Sequence, residues 1–263
     1  MSGIDTKHGS LWVHKFEEGS PIVVALHGFT LHGASFERFA TEFGSTVLAP
    51  DLPGHGQTKI DPITIDTTVS ALAELLRRTP ESPILLGYSQ GGRVAVQVAL
   101  RHPELISGLV LVSTSPGLSE RARKLRIVAD DALASRIERI GTELFIEEWL
   151  ANPLTATDKV DTVTRQADLT IRLESSADGL AAALRGIGQA SVPSVSDQLS
   201  KLKMPVAIVA GRRDEKYSAL AIEMSGGLSQ RPVLVNGAGH NVILEEPGAV
   251  ADVVRKLAGQ QTG

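Results

Sequence analysis

The 263-residue sequence contains no cysteine, few aromatic residues and no long hydrophobic segment. The missing cysteine excludes disulfides, thiolate nucleophiles and cysteine-ligated metals. The longest apolar segments, such as residues 22–26, are far shorter than the roughly 20 residues that span a bilayer, so no membrane association is predicted. The first residues also lack the apolar core of a signal peptide, and a cytoplasmic location is therefore expected.

Neither sign of charge dominates the chain. The sequence has 26 basic and 30 acidic side chains and a formal net charge of −4. Nucleic-acid binding favours a strongly basic face, so a nucleic acid is not an expected partner. Four histidines, His8, His14, His32 and His102, show none of the spacings typical of metal ligands. Neither a metal nor another cofactor is predicted.

Short β-branched segments alternate with segments of helical period in the first half of the chain. The predicted strands are residues 11–16, 21–26, 46–49, 83–86 and 109–112, and the predicted helices are 34–43, 67–78 and 91–101. In the last helix, Val94 and Val98 have the i, i+4 spacing of one apolar face. Alternation of this kind indicates parallel strands joined by crossover helices.

This alternation stops after residue 117. Residues 121–140, 143–150, 157–174 and 176–187 have helical patterns with no convincing strand between them, and breakers such as Gly141 separate them. Strands at 205–210 and 232–235 and a helix at 247–257 then resume the α/β pattern. The sequence therefore predicts an α/β core of residues 1–117 and 191–263, interrupted by a helical lid of residues 118–190.

The most specific motif is Gly87-Tyr88-Ser89-Gln90-Gly91, between a predicted strand and a predicted helix. A G-x-S-x-G sequence in this context is typical of a nucleophile elbow, a strained turn that raises the serine hydroxyl above the sheet edge. A bystander serine in a glycine-rich turn is the alternative, and the flanking strand and helix make it the less favoured one.

Two later loops supply the partners that such a serine needs. Asp214 follows one predicted strand and His240 follows the next, so the chain order is Ser, Asp, His, as in nucleophile-elbow enzymes. We expect His240 to act as the base and Asp214 to orient it. The backbone N–H groups of Phe29 and Gln90 are the expected oxyanion hole. His27 and His55 are expected to have structural roles.

Four motifs resemble those of the α/β-hydrolase superfamily: His27-Gly28-Phe29, residues 51–56 (DLPGHG), residues 87–92 (GYSQGG) and residues 237–240 (GAGH). The resemblance covers nearly the whole chain. It implies an α/β-hydrolase fold, with a mostly parallel central sheet flanked by helices and an inserted helical lid. The motifs identify the fold and leave the substrate open.

Further segments resemble the 2-succinyl-6-hydroxy-2,4-cyclohexadiene-1-carboxylate synthases of menaquinone biosynthesis. In that family a serine triad starts a proton abstraction that expels pyruvate without hydrolysis. The resemblance implies that Ser89, Asp214 and His240 form the triad and that a small anionic carboxylate is the substrate. The residues implied to bind it are Tyr88, Arg93, Arg126, Trp149 and Arg172. The family commonly has Met or Leu where this chain has Gln90, and Arg123 is an alternative to Arg126.

Two other functions remain open at this point. The same triad serves a carboxylesterase or a carbon–carbon bond hydrolase, and the fold also supports non-catalytic ligand receptors. Pocket charge distinguishes synthase from esterase, because guanidinium groups bind carboxylates in a bidentate geometry. Converging arginines favour the anionic substrate, whereas an apolar pocket with Arg172 turned outward favours an ester.

Overall fold

A computed structural model describes residues 2–228 and 231–259. Within these ranges one sheet of nine strands forms the centre of the molecule. The strands are β1 (Ser2–Thr6), β2 (Gly9–Phe16), β3 (Val23–Leu26), β4 (Val47–Pro50), β5 (Lys59–Ile60), β6 (Ile84–Tyr88), β7 (Gly108–Val112), β8 (Val206–Gly211) and β9 (Val233–Val235).

The strand order is β1-β2-β4-β3-β6-β7-β8-β9, and β5 pairs with β2. The strands from β4 to β9 along this order are parallel, which confirms the predicted crossover architecture. β2 runs antiparallel to β1, β4 and β5. The short strands β1 and β5 were not among the predicted elements, because their alternating, mostly exposed residues carry little hydrophobic signal.

The helices are α1 (Glu37–Phe43), α2 (Ile65–Arg78), α3 (Gln90–Arg101), α4 (Glu120–Leu150), α5 (Thr162–Leu173), α6 (Ala177–Ile187), α7 (Glu215–Gly226), α8 (Val242–Glu245) and α9 (Pro247–Gly259). The helix predicted from residue 157 begins at Thr162. Its start is set by Asp161, whose carboxylate accepts hydrogen bonds from the Thr164 N–H at 3.0 Å and the Thr164 hydroxyl at 2.7 Å. Helix α7, which the periodicity did not predict, begins directly after Asp214.

Helices α4, α5 and α6 lie between β7 and β8 in the chain. Helix α4 leaves helical geometry at Gly141, where φ is 79° and ψ is 170°, at the break that the sequence predicts. Buried side chains of α4 and α6, including Ile137, Phe145 and Leu180, form a small separate core. We call these three helices the lid. In the described ranges, no helix has the length and apolar character needed to cross a membrane.

Candidate active site

Ser89 occupies a sharp turn between β6 and α3. Its φ of 52° and ψ of −107° place it in a left-handed region that side chains other than glycine rarely adopt. The flanking glycines make the turn possible. A Cβ on Gly87 would lie 2.6 Å from the Gly92 Cα, and one on Gly91 would collide with the Leu26 carbonyl. The G-x-S-x-G spacing is thus a steric requirement of this turn.

Ser89, His240 and Asp214 are hydrogen-bonded in series. The His240 Nε2 lies 3.1 Å from the Ser89 Oγ, and the His240 Nδ1 lies 2.7 Å from the Asp214 Oδ2. A carboxylate oxygen only accepts, so Nδ1 donates to Asp214 and Nε2 is left to accept from the serine hydroxyl. Asp214 and His240 are 5% and 7% exposed. This arrangement can deprotonate the hydroxyl and hold the resulting imidazolium.

Two tyrosines pack on the His240 ring. Ring-centroid distances are 4.4 Å to Tyr217 and 5.6 Å to Tyr88. Tyr217 also donates its backbone N–H to the Asp214 Oδ1 at 3.0 Å. Tyr217 is a residue of the site that the sequence motifs do not reveal. Its contact with Asp214 could have been predicted, because Tyr217 is three residues after Asp214 at the start of α7. The carboxylate of an N-cap residue accepts hydrogen bonds from N–H groups of the first helical turn.

The two expected oxyanion donors lie beside Ser89. Gln90 is the first residue of α3, and the loop carrying Phe29 is close enough that a Cβ on Gly28 would lie 3.5 Å from the Ser89 Cβ. In the described part of the chain, neither backbone N–H donates a hydrogen bond. The Gln90 side chain points away to the lid, where its Nε2 donates to the Ile187 carbonyl at 3.2 Å.

A cavity lies over Ser89, and we call it the serine cavity. Its walls are Gly28, Phe29, Leu31, Tyr88, Ser89, Trp149, Thr155, Arg172, His240 and Asn241. Of the predicted substrate-binding residues, Tyr88, Trp149 and Arg172 line this cavity. The Trp149 Nε1 is buried and has no acceptor among the described residues.

Arg172 is turned inward and is only 3% exposed. It already has partners: its Nε and Nη2 donate to the two Asp168 carboxylate oxygens at 2.6 and 3.2 Å, and its Nη1 donates to the Thr30 hydroxyl. Asp168 and Arg172 are both on lid helix α5, and the hydrogen bond to Thr30 connects this helix to the loop after β3. Arg172 thus places a guanidinium in the wall of the serine cavity, but this guanidinium is already bound to Asp168.

Arg93 and Arg126 are not among the walls of the serine cavity. Arg93 is 8% exposed, and its side chain makes no hydrogen bond to any described residue. Burial lowers its pKa, and the Tyr217 phenol and the Arg126 guanidinium are its main electrostatic neighbours. Arg126 is bound to Asp130 at 2.6 Å and to Gln189 at 3.0 Å.

Arg123, the alternative to Arg126, lies elsewhere. Its Nε donates to the Ala190 backbone carbonyl at 2.7 Å. Arg126 instead acts electrostatically on Arg93, which is the arginine next to the triad. Asp130, the partner of Arg126, acts on Arg93 in the opposite direction, so the two charges partly offset each other there.

Folding brings together two histidines whose spacing in the sequence does not suggest it. His14, His32 and Asp51 are buried together, with ligand atoms within 4.8 Å of one another. The Asp51 oxygens accept from His14 at 3.0 Å and from the Gly33 and Gln57 N–H groups at 2.8 and 2.9 Å. Three protein donors thus hold the carboxylate, which is consistent with a structural cluster.

His27 and His55 have structural contacts, as expected. The His27 Nε2 accepts from the Leu52 N–H at 2.8 Å, and the His55 Nε2 accepts from the Thr30 N–H at 3.4 Å. Burial lowers the pKa of both rings, that of His55 to about 4. Both are therefore neutral at pH 7 and serve as acceptors that hold the loops around Ser89.

Comparison with known proteins identifies relatives over most of the chain. A family model described as an alpha/beta hydrolase family matches residues 23–253. A protein of Bacillus subtilis named putative 2-succinyl-6-hydroxy-2,4-cyclohexadiene-1-carboxylate synthase is 36% identical, and the alignment covers 90% of each chain. The Salmonella agona protein named as that synthase is 31% identical, with 92% of this chain and 95% of that one covered.

Solved structures agree with these relatives. The structure of MenH from S. aureus superposes with a TM-score of 0.89 at 29% identity, covering 98% of this chain and 100% of that one. A thermophilic esterase from Thermogutta terrifontis superposes with a TM-score of 0.85 at 23% identity, covering 99% of both chains. At that identity the esterase shows the shared fold alone.

Proposed function

The chain belongs to the alpha/beta hydrolase family and, within it, to the family of 2-succinyl-6-hydroxy-2,4-cyclohexadiene-1-carboxylate synthases, and on that premise we propose that it catalyses the elimination of pyruvate that this family name implies. The substrate is then a small polyanionic cyclohexene carboxylate bearing succinyl and enolpyruvyl groups. The proposal includes a cytoplasmic location, no cofactor, and neither nucleic acid nor membrane as a partner.

The buried, unpartnered guanidinium of Arg93 is the observation that carries this proposal. Asp130 acts electrostatically on Arg93 but is hydrogen-bonded to Arg126. A buried cation that no carboxylate binds directly is unfavourable, so a site that retains one is suited to an anion supplied by the ligand. Arg93 neighbours Tyr217, which packs on His240, so this charge lies next to the triad. Arg172 adds a second inward cation and Trp149 a free N–H donor. An ester substrate has no use for this charge.

In the proposed mechanism, Ser89 and His240 move one proton. His240 accepts the Ser89 hydroxyl proton, and the serine oxygen removes the proton alpha to the succinyl ketone. The enolate oxygen that forms accepts hydrogen bonds from the Phe29 and Gln90 N–H groups. The electron pair then moves through the ring and breaks the carbon–oxygen bond to the enolpyruvyl group, which takes up a proton and leaves as pyruvate.

Asp214 orients His240 throughout this sequence, since its Oδ2 holds the ring nitrogen that faces away from Ser89. No covalent bond to Ser89 forms, which separates this reaction from acyl transfer. The ring of Tyr88 and the indole of Trp149 are proposed to enclose the substrate ring. Arg93, Arg126 and Arg172 are proposed to bind its carboxylates.

A pyruvate-release assay with the enolpyruvyl cyclohexene-carboxylate precursor tests the proposal. We expect turnover that is lost in Ser89→Ala and His240→Ala. Arg93→Met should lower kcat/KM by roughly 10- to 100-fold, the value of one charge-assisted hydrogen-bonding group. The matched control is Arg121→Met at an exposed lid arginine, which should stay within about twofold of the unmodified chain. Turnover of p-nitrophenyl acetate without pyruvate release would refute the synthase assignment.

A further inference from the structure

Thr30 lies in a turn whose backbone conformation suits glycine better than threonine. The turn runs from Gly28 to Leu31 and is closed by the Leu31 N–H, which donates to the Gly28 carbonyl at 3.2 Å. Thr30 is the third residue of this turn and has a φ of 69°, a conformation that glycine or asparagine usually adopts at that position. Within the described ranges, no other β-branched residue has a positive φ. Strain of this kind indicates a role for the side chain that glycine could not take.

The Thr30 hydroxyl is in contact with the lid. Thr30 is fully buried, and its Oγ1 accepts a hydrogen bond from the Arg172 Nη1. Asp168 binds the same guanidinium, but it lies on helix α5 with Arg172 and therefore fixes the group only relative to the lid. Among the contacts of the described residues, the hydrogen bond to Thr30 is the one that fixes the Arg172 guanidinium relative to the core.

Two N–H groups of Arg172 remain for a ligand. A guanidinium has five N–H donors, and in the described part of the chain three of them have acceptors, which are the two Asp168 carboxylate oxygens and the Thr30 hydroxyl. Arg172 lines the serine cavity, so a carboxylate in this cavity can accept from the remaining donors. Because the guanidinium is planar, the Asp168 and Thr30 contacts together fix the direction of those donors.

The same turn carries one of the two expected oxyanion donors. Phe29, whose backbone N–H is that donor, directly precedes Thr30, and His55 contacts both residues. The His55 Nε2 accepts from the Thr30 N–H at 3.4 Å, and the His55 ring lies edge-on to the Phe29 ring at a centroid distance of 5.6 Å. One buried turn thus fixes the position of the oxyanion donor relative to the hydroxyl that holds Arg172.

We propose that Thr30 is a positioning residue that holds the Arg172 guanidinium at a fixed distance from the oxyanion hole. The site then favours substrates that carry a carboxylate at the matching distance from the carbonyl oxygen that becomes the enolate. The inference rests on the proposed function, because it concerns how the same cavity recognises its substrate. It adds a specificity-determining residue on the core side of the Arg172 contact.

Two substitutions separate the hydroxyl from the shape of the side chain. Thr30→Val keeps the branched shape and removes the hydrogen-bond acceptor. We expect it to raise KM for the enolpyruvyl cyclohexene-carboxylate precursor by roughly tenfold, the value of one hydrogen bond to a charged group. The value of kcat should change little, since the guanidinium binds the carboxylate in the ground state and in the transition state alike. Thr30→Ser keeps the hydroxyl and should match the unmodified chain in both constants.

A double substitution tests whether Thr30 acts through Arg172. In Arg172→Met the hydroxyl has no guanidinium to hold, so adding Thr30→Val should cause no further rise in KM. A hydroxyl that served the fold alone would have the same effect with and without the guanidinium. The matched control is Thr170→Val, which removes an exposed threonine hydroxyl from the same lid helix and should leave KM unchanged. Thermal melting verifies that each variant is folded, and the comparison of Thr30→Val with Thr30→Ser does not depend on the double variant.

Three results would overturn the positioning role and leave the proposed function standing. They are an unchanged KM or a loss confined to kcat in Thr30→Val, a loss in Thr30→Ser as large as that in Thr30→Val, and an undiminished effect of Thr30→Val in the Arg172→Met background. If the unmodified chain releases no pyruvate, the proposed function fails, and the Tm shift produced by succinate takes the place of KM. A smaller shift in Thr30→Val than in Thr30→Ser would then support the positioning role, and equal shifts would overturn it as well.

Discussion

Replacing Arg93 with methionine should stabilise the protein while it weakens activity. Arg93 is 8% exposed and its guanidinium has no hydrogen-bonding partner in the described chain. Methionine keeps the length of the side chain and removes the charge. Arg172→Met is the contrasting substitution, because it removes an equally buried guanidinium that is bound to Asp168.

The two substitutions differ in what they leave behind. An unsatisfied buried polar group costs about 1–3 kcal/mol, and Arg93→Met removes that cost. Arg172→Met strands the Asp168 carboxylate, which is 2% exposed, and breaking a buried pair in this way costs about 3–5 kcal/mol. A chain of this size shifts its Tm by about 2 °C per kcal/mol. We expect Arg93→Met to raise Tm by roughly 2–6 °C and Arg172→Met to lower it by roughly 6–10 °C.

Thermal melting and denaturant titration of the three proteins measure this directly. Thermal melting in the presence of an anion gives a second measurement. An anion that binds the folded state stabilises it by roughly 1.4 kcal/mol at a concentration of ten times its Kd. Succinate should raise the Tm of the unmodified chain more than that of Arg93→Met. The p-nitrophenyl acetate rate should be less affected in Arg93→Met than pyruvate release, because the acetate carries no carboxylate.

A loss of stability in Arg93→Met comparable to that in Arg172→Met would refute the reasoning. It would mean that the Arg93 guanidinium supports the fold through partners of its own. An equal response of both proteins to succinate would likewise contradict an anion site at Arg93. Stabilisation combined with lost pyruvate release is the outcome that fits a charge retained for substrate.

Three further predictions concern the triad and the loops around it. Asp214→Asn should lower kcat for pyruvate release by roughly 10⁴-fold with little change in KM, because the amide favours the wrong His240 tautomer; a loss below tenfold would contradict the orienting role. Gly28→Ala should cost about 1–3 kcal/mol and reduce kcat, since its Cβ would lie 2.7 Å from the Tyr88 Cε1 and displace that ring; unchanged melting would contradict the close approach. Burial lowers the pKa of His55 to about 4, so between pH 6.5 and 4 the unfolded chain binds a proton that the folded chain does not. The free energy of unfolding therefore falls as the pH falls through this range, by about 3 kcal/mol for this ring. His55→Gln should reduce the slope of the free energy of unfolding against pH in that range, and an unchanged slope would contradict the prediction.

Much of the fold and of the triad was predictable because their signals are local. The strand, the G-x-S-x-G turn and the helix around Ser89 follow one another within a few residues, and only glycine fits beside that turn. Asp214 and His240 each follow a strand of the parallel region, whose carboxyl ends meet at one edge. The polar strands β1 and β5 were not predicted because their residues show little hydrophobic periodicity. The cluster of His14, His32 and Asp51 was not predicted because its members are brought together only by folding.

The sequence by itself determined the order of the parallel strands and which residue types stand at their ends, since these depend on near neighbours and on one-dimensional periodicity. Only the tertiary structure decided that Arg172 is paired with Asp168 while Arg93 is left without a partner. It also decided that the Thr30 hydroxyl, 142 residues away in the sequence, contacts the Arg172 guanidinium. Hydrogen-bonding partners and cavities arise where segments distant in sequence pack together. No local sequence pattern indicates which side chains of such segments will come into contact.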